Sequence, residues 1–226
     1  MTLNEELAGL CARLRAALPG EDVRVLDDTL EQLRMLQLAE QGLQAGEPFP
    51  DFALPDNEGR TVTSGELLDR GPLVVAFYRG AWCPYCDAML RAFEVARPAI
   101  EAAGASLVAV SADRPEEQAR AKAEKGLGFP LLADVGGNLA KLCGVHFELN
   151  DAHVAFYRRL GIDLPACHAE TGWELPLPAT YVVGQDGNVA YVFVDADWTK
   201  RAEPEDVVVA VQGLAQAADA GSSGGA

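Results

Sequence analysis

The 226-residue chain is short of positive charge: 18 lysines and arginines stand against 34 aspartates and glutamates, a net charge of −16. A polyanion such as nucleic acid, or an anionic membrane surface, demands basic patches, so both are poor partners for this composition. Long apolar runs are missing too. No stretch approaches the roughly 18 consecutive apolar residues of a membrane span. The start, Met1-Thr2-Leu3-Asn4-Glu5-Glu6, is acidic and polar, without the basic and apolar regions of a secretory leader, which predicts a cytoplasmic protein. In that compartment thiols rest reduced, so the five cysteines do not form a disulfide framework. Histidine is scarce, and His146, His153 and His168 are too scattered to define a catalytic triad. A glycine-rich phosphate loop is absent, since Gly126-x-Gly128 lacks the strand that such a loop needs. There is no internal repeat.

What is present is Cys83-Pro84-Tyr85-Cys86. It follows the apolar run Leu73-Val74-Val75-Ala76-Phe77-Tyr78 and opens a segment with Met89, Phe93 and Ile100 on one helical face. Two thiols two residues apart at a strand-to-helix junction suit reversible disulfide chemistry. The free amides and dipole of the helix start stabilise a thiolate. Pro84 fits the first helical position because it needs no N–H partner there.

Around this motif the patterning predicts an α/β protein. Leu3, Leu7, Leu10, Leu14 and Leu18 mark one helix, Pro19-Gly20 stops it, and a second stripe runs from Leu26 to Leu43. Residues 1–45 thus read as an N-terminal helical hairpin, packed on the main domain or serving a homodimer. Residues 46–216 form the domain. A hairpin at Asp56-Asn57-Glu58-Gly59, a short helix at Gly65 to Leu68, and a βαβ unit over residues 73–110 come first, with Pro98 kinking the βαβ helix without ending it. A helix from Pro115 to Lys125, a short strand near Leu131, a helix at Asn138 to Cys143 and an insert at about 145–176, irregular but for one helical stretch near Ala152 to Leu160, follow. The turn Gln185-Asp186-Gly187-Asn188 closes a strand pair, and a helix runs from about Glu203 to Gln216. Residues 217–226, rich in Gly, Ser and Ala, read as a disordered tail. This order gives a thioredoxin-like mixed sheet flanked by helices, with Cys83 at the carboxyl edge of a central strand, where open α/β sheets bind ligands.

The stretch Phe77-Tyr78-Arg79-Gly80-Ala81-Trp82-Cys83-Pro84-Tyr85-Cys86 resembles a peroxiredoxin-like branch of the alkyl hydroperoxide reductase and thiol-specific antioxidant superfamily. Supporting stretches are Phe49 to Pro55, Leu177-Pro178-Ala179-Thr180-Tyr181-Val182-Val183, and Asp195-Ala196-Asp197-Trp198-Thr199 leading into Glu203-Pro204. The resemblance implies a peroxiredoxin-type thioredoxin fold and an antioxidant thiol oxidoreductase that needs no cofactor. Its substrate is a thiol, disulfide or hydroperoxide, re-reduced by a thioredoxin or a low-molecular-weight thiol. Peroxiredoxins proper carry Pro-x-x-x-Thr-x-x-Cys and a distant arginine. Alignment on Cys86 puts Cys83 at the threonine, Arg79 at the proline and Pro178 at or near the arginine, which implies that both peroxide-binding donors are missing. Cys-Pro-Tyr-Cys instead looks like a glutaredoxin tetrapeptide, and that likeness implies a cis Leu177–Pro178 bond facing the disulfide.

The expected roles follow. Cys83, at an exposed helix tip, is the nucleophile of thiol–disulfide exchange and Cys86 resolves the mixed disulfide. In the peroxidase alternative Cys86 attacks hydroperoxide and Cys83 captures the sulfenic acid. Trp82, Pro84, Tyr85, Leu177 and Pro178 border the substrate groove, with Trp82 equally suited to core packing. Arg79 is a candidate thiolate stabiliser. Cys11, Cys143 and Cys167 read as packed thiols, Cys167 doubling as a candidate extra resolving cysteine. A remote alternative is a structural zinc module of Cys83, Cys86, Cys143 and His146.

Overall fold

The computed structural model describes residues 1–223, with side chains as far as Ala217. The predicted hairpin is present as α1 (Leu3–Ala17) and α2 (Gly20–Met35), followed by a single turn, α3 (Leu38–Gln41). Thr2 caps α1 by accepting the Glu5 amide, and Glu5 returns a carboxylate to the Thr2 amide. The domain continues with β1 (Ala53–Pro55), β2 (Thr61–Thr63), α4 (Ser64–Leu68), β3 (Leu73–Phe77), α5 (Pro84–Ala102), β4 (Ser106–Ser111), α6 (Pro115–Lys125), β5 (Leu131–Ala133) and α7 (Asn138–Leu142). Helix α5 passes through Pro98 without ending.

The central sheet has the order β5-β4-β3-β8-β9, where β8 is Ala179–Val183 and β9 is Val189–Val194. Strands β3, β4 and β5 are parallel, and β8 and β9 are antiparallel to their neighbours. Strand β3 is buried on both faces, and its alternation sorts the core into two layers. Leu73, Val75 and Phe77 face a layer that includes Leu33 of α2 and Phe156. Val74, Ala76 and Tyr78 face the layer holding α5, Leu3 and Leu7 of α1, and Val207 and Val211. The hairpin therefore straddles the sheet's edge, one helix contributing to each layer.

Two expectations change. The insert holds the expected helix as α8 (Asp151–Arg159), but the rest of it is not irregular: it also contains β6 (His146–Glu148), α9 (Leu164–Cys167) and β7 (Glu174–Pro176), and β6 and β7 pair into their own antiparallel ribbon. Three-residue strands are too short for period-two patterning to show in the sequence. The last helix, α10 (Pro204–Ser223), continues past Gln216, because alanine-rich sequence is helix-compatible and Val207 and Val211 anchor its first turns. The rest of the predicted disordered tail, residues 224–226, lies outside the described residues.

Candidate active site

The loop from β3 to α5 carries the dithiol. Gly80 holds φ at +148°, and a Cβ there would lie 2.2 Å from Trp82 Nε1 and 2.9 Å from Asp113 Oδ1, so glycine is required. Asp113 Oδ2 accepts the Ala81 amide at 2.7 Å and fixes the loop from the β4 side. Cys83 is the N-cap of α5 and Pro84 its first residue. Both thiols are free.

The expected exposed cysteine is absent: Cys83 is 1% exposed and Cys86 fully buried. The N-terminal hairpin, α8 and Trp198 close over the helix tip, which neither sulfur's local sequence foretells. Cys86 Sγ accepts Arg201 Nη2–H at 3.3 Å and the Arg79 backbone N–H at 3.4 Å. Burial by itself raises the Cys86 pKa. The Cys83 hydrogen bond, the Arg201 charge, the Arg79 amide and the Arg79 charge outweigh it and bring the thiol down to about 5. Cys83 goes the other way, pushed well above the usual range by burial and by its hydrogen bond to Cys86. The pair is asymmetric, with Cys86 the thiolate and Cys83 the thiol that donates to it.

Two arginines surround this sulfur, and both are buried, Arg79 at 2% and Arg201 at 1% exposure. Arg201 Nη1 donates to the Trp198 and Lys200 carbonyls at 2.5 and 2.6 Å. Arg79 donates to the Tyr157 hydroxyl and sits among the rings of Trp82, Trp198 and Tyr157, at 5.2, 5.3 and 5.9 Å from their centroids. Among the described residues neither guanidinium has a carboxylate partner, so the Cys86 thiolate is the anion beside them and offsets one of their two charges. Arg79, the candidate thiolate stabiliser, lies beside Cys86 with its backbone amide on the sulfur. Arg201 is the residue that sequence reasoning missed: an arginine distant in sequence does reach the sulfur, but it comes from the segment after β9, between Thr199 and Glu203, rather than from the position of Pro178. Its place inside the aligned Asp195-to-Pro204 stretch is the available signal.

An apolar cavity of about 240 Å³ adjoins the dithiol. Trp82, Cys83, Pro84 and Tyr85 line one side, and Leu14 and Leu18 of the hairpin line another. Cys86 lies behind Cys83 and does not line it. Leu177 and Pro178 do not line it either. Leu177 packs in the opposite core layer, its amide donates to the Val145 carbonyl at 2.6 Å, and the Leu177–Pro178 bond is trans, which corrects the cis expectation. Trans is the form that the great majority of X–Pro bonds take, and here Leu177 packs in the core layer opposite the dithiol.

The zinc alternative fails on placement. Cys143 is buried in the layer opposite the dithiol, where burial pushes its thiol up to about 12. His146 lies on β6 with its neighbours in that ribbon. Cys167, half-buried at the end of α9, lies beside Asp113 and His168. Its thiol is raised to about 11 by burial and then by the charges of Asp113 and Glu117. Cys11 lines a small cavity with Tyr85 and Trp198.

A mixed sheet with its dithiol at the start of the helix after a central parallel strand defines a thioredoxin-type α/β protein. The sequence matches the AhpC/TSA family over residues 45–192, and the chain belongs to that family. It is 28% identical over 148 residues to the chloroplastic peroxiredoxin Q of Oryza sativa subsp. japonica, covering 66% of this chain and 58% of that one. It is 32% identical over 103 residues to a putative peroxiredoxin of Mycobacterium tuberculosis, covering 46% and 67%. The chain thus spans little more than half the length of the plant relative. Among solved structures, peroxidoxin BcpB from Mycobacterium tuberculosis superposes with a TM-score of 0.60 at 24% identity, covering 76% of this chain and 98% of that one. AhpC of the same organism gives 0.57 at 20%, covering 76% and 93%. These likenesses establish the shared fold. No helix among the described residues is long and apolar enough to cross a membrane.

Proposed function

We propose that the protein is a thiol-dependent hydroperoxide reductase in which Cys86 attacks and Cys83 resolves. The observation that carries this reading is the convergence of Arg201 Nη2–H and the Arg79 amide on Cys86 Sγ. The Cys86 thiolate attacks the outer oxygen of a hydroperoxide. The O–O bond breaks, Cys86 becomes a sulfenic acid, and the departing alkoxide takes up a proton from solvent. Arg201 and the Arg79 amide supply the donors that the missing threonine and the more usual arginine position would have supplied, and they stabilise charge developing at that sulfur and oxygen. Cys83 then attacks the Cys86 sulfur, water leaves, and the Cys83–Cys86 disulfide forms.

Two external thiols, or the two thiols of one dithiol, supply the two electrons that complete the cycle. Cys83, not Cys86, lines the cavity, so the first thiol reaches Cys83 and expels Cys86, whose low pKa makes it the better leaving group; the second attacks the mixed disulfide, leaves with the first as a disulfide and frees Cys83. The same geometry favours a second reading, thiol–disulfide exchange through Cys83, and here the reductant is a thioredoxin or a small thiol. The expected setting is cytoplasmic, where both cysteines rest reduced between turnovers, and the leading helices offer a homodimer surface.

Stopped-flow oxidation of the reduced protein separates the readings. Hydrogen peroxide or an organic hydroperoxide should react far faster than a small disulfide. In Cys83→Ser, dimedone should label Cys86 as a trapped sulfenic acid. Peroxide oxidation no faster than that of free cysteine, with rapid oxidation by disulfides, would transfer the conclusion to the second reading.

A further inference from the structure

We propose that Asp113, Cys167 and His168 form a binding site for a divalent transition-metal ion, Zn²⁺ foremost, beside the dithiol. One donor atom from each residue lies within 4.8 Å of the other two. Two of the three already have their second polar atom engaged. Asp113 Oδ2 is taken by the Ala81 amide, while Oδ1 is buried without a hydrogen-bond partner in a side chain only 1% exposed. His168 Nδ1 faces Thr171 Oγ1 at 3.2 Å, leaving Nε2 directed at Asp113 Oδ1, 3.6 Å away. Metal-bound histidines commonly have their other ring nitrogen held this way. Cys167 Sγ makes only long contacts, at 3.4 and 3.5 Å, to the Asp163 and Leu164 carbonyls.

At 3.6 Å the contact between His168 Nε2 and Asp113 Oδ1 is longer than a hydrogen bond, which leaves the buried carboxylate oxygen without a protein partner. The Trp82 indole N–H reaches His168 Nε2 only at 3.4 Å, a long contact that a metal ion would displace. Zinc bonds of about 2.0–2.2 Å to nitrogen and oxygen place tetrahedral ligand atoms about 3.3–3.5 Å apart, close to the separation found. The backbones are fixed in advance: the Ala169 amide donates to the Ala112 carbonyl at 2.7 Å and the Arg114 amide to the Cys167 carbonyl at 2.9 Å. The charge also fits. A carboxylate and a thiolate with a neutral imidazole cancel a divalent ion, and the Glu117 and Asp163 carboxylates add negative potential at Cys167. Arg79 opposes from the His168 side, while the Arg114 guanidinium is turned to the His168 and Pro165 carbonyls. Mixed N, O and S donors select a borderline ion such as Zn²⁺ over Mg²⁺ or Ca²⁺. Binding is not redox chemistry: the Cys167 S–H loses its proton to solvent as the metal–sulfur bond forms.

Titration of the reduced, metal-free full chain with Co²⁺ tests the site. One equivalent should bind with a sulfur-to-cobalt charge-transfer band in the near ultraviolet, displaced by one equivalent of Zn²⁺. Cys167→Ser should abolish the band, a Cys83→Ser/Cys86→Ser double variant should keep it, and Thr171→Ala should weaken binding by about 10–100-fold. Absence of stoichiometric binding, a band that survives Cys167→Ser, or one lost in the double variant would overturn the proposal. If Cys167→Ser does not fold, iodoacetamide labelling of the natural chain decides instead. Zn²⁺ should slow labelling of Cys167 at least about tenfold, and equal labelling with and without Zn²⁺ overturns the site.

Discussion

Arg201 and Cys86 are 115 positions apart in the chain, yet Arg201 Nη2–H points at Cys86 Sγ from 3.3 Å. The loop after β9 delivers this arginine, and the hairpin locks it: Asn4 at the start of α1 accepts the Arg201 amide at 3.0 Å and donates to its carbonyl at 2.8 Å. The N-terminal extension is thereby tied to the residue that polarises the reactive sulfur.

Replacing Arg201 should therefore slow the peroxide reaction of Cys86 sharply. Arg201→Met keeps much of the volume but removes one preorganised donor, a loss of about 10²–10³ in rate. Arg201→Lys should recover part of it, since an ammonium restores charge without the planar fork. Second-order oxidation rates of the two variants, with circular dichroism confirming the fold, give the comparison. A rate for Arg201→Met within a factor of about two of the parent would show the contact to be idle.

The dithiol should impose a pH signature on reactivity and stability. With Cys86 at about 5, its alkylation rate should rise around pH 5 and level off well before pH 8. For stability, the folded pKa lies below the unfolded value of about 8.5, so the unfolded chain binds more protons across roughly pH 5–8.5. The contribution of Cys86 is therefore full above about pH 8.5 and is lost as pH falls through about 5. Cys83 has the opposite sign: its raised folded pKa costs stability once the pH exceeds the unfolded value. Urea unfolding of the parent and of Cys86→Ala should diverge with rising pH up to about 8.5. Parallel curves would mean that Cys86 does not titrate anomalously.

The fold is largely readable in the sequence because its signals are local. The apolar run of β3, the helical face of α5 and the Asp186-Gly187 turn each declare themselves within ten residues or so. The dithiol is readable for the same reason. What stays hidden depends on tertiary placement. Cys83 carries no mark in its neighbourhood that α1, α8 and Trp198 bury it. Arg201 looks like any charged loop residue until the fold sets it against Cys86. Pro178 looks like a cis-proline because of what stands at that place in other thioredoxin-type chains, and the trans bond shows that the alignment alone is too weak. The pairing of β6 with β7 is equally non-local, as its two three-residue strands are separated by the whole of α8 and α9.

His153 should make the hairpin sensitive to acid. It is fully buried, Nδ1 contacts Thr29 Oγ1 of α2 at 2.9 Å, and Phe156, Tyr157 and Trp198 surround the ring. Burial, then the Arg79 charge, depresses its pKa to about 3. A depressed folded pKa gives stability that is complete above the unfolded value of about 6.5 and is lost as pH falls toward 3. The limiting slope is about 1.4 kcal/mol per pH unit. His153→Gln should cost stability at pH 7 but lose less of what remains between pH 6.5 and 4. Thermal unfolding across that range measures the difference, and equal slopes for the two proteins would remove His153 as the cause.

Arg79 and Tyr157 allow a sharper test, because two substitutions at one contact should move stability by different amounts. The Tyr157 hydroxyl is the hydrogen-bond partner of the Arg79 guanidinium, whose Nε already lacks one. Tyr157→Phe leaves the charge buried with its donors unmet, a cost of about 1–3 kcal/mol or somewhat more for a charged group. Arg79→Met removes the charge instead and leaves an apolar side chain among Trp82, Tyr157 and Trp198. Replacing buried ionic groups by apolar ones of similar volume is often neutral or stabilising. Arg79→Met should therefore unfold at a higher urea concentration than Tyr157→Phe, while its Cys86 thiol titrates higher and reacts more slowly with peroxide. Equal destabilisation by the two changes would mean that Arg79 contributes chiefly through packing, and an unchanged Cys86 titration in Arg79→Met would leave Arg201 as the principal charge on that sulfur.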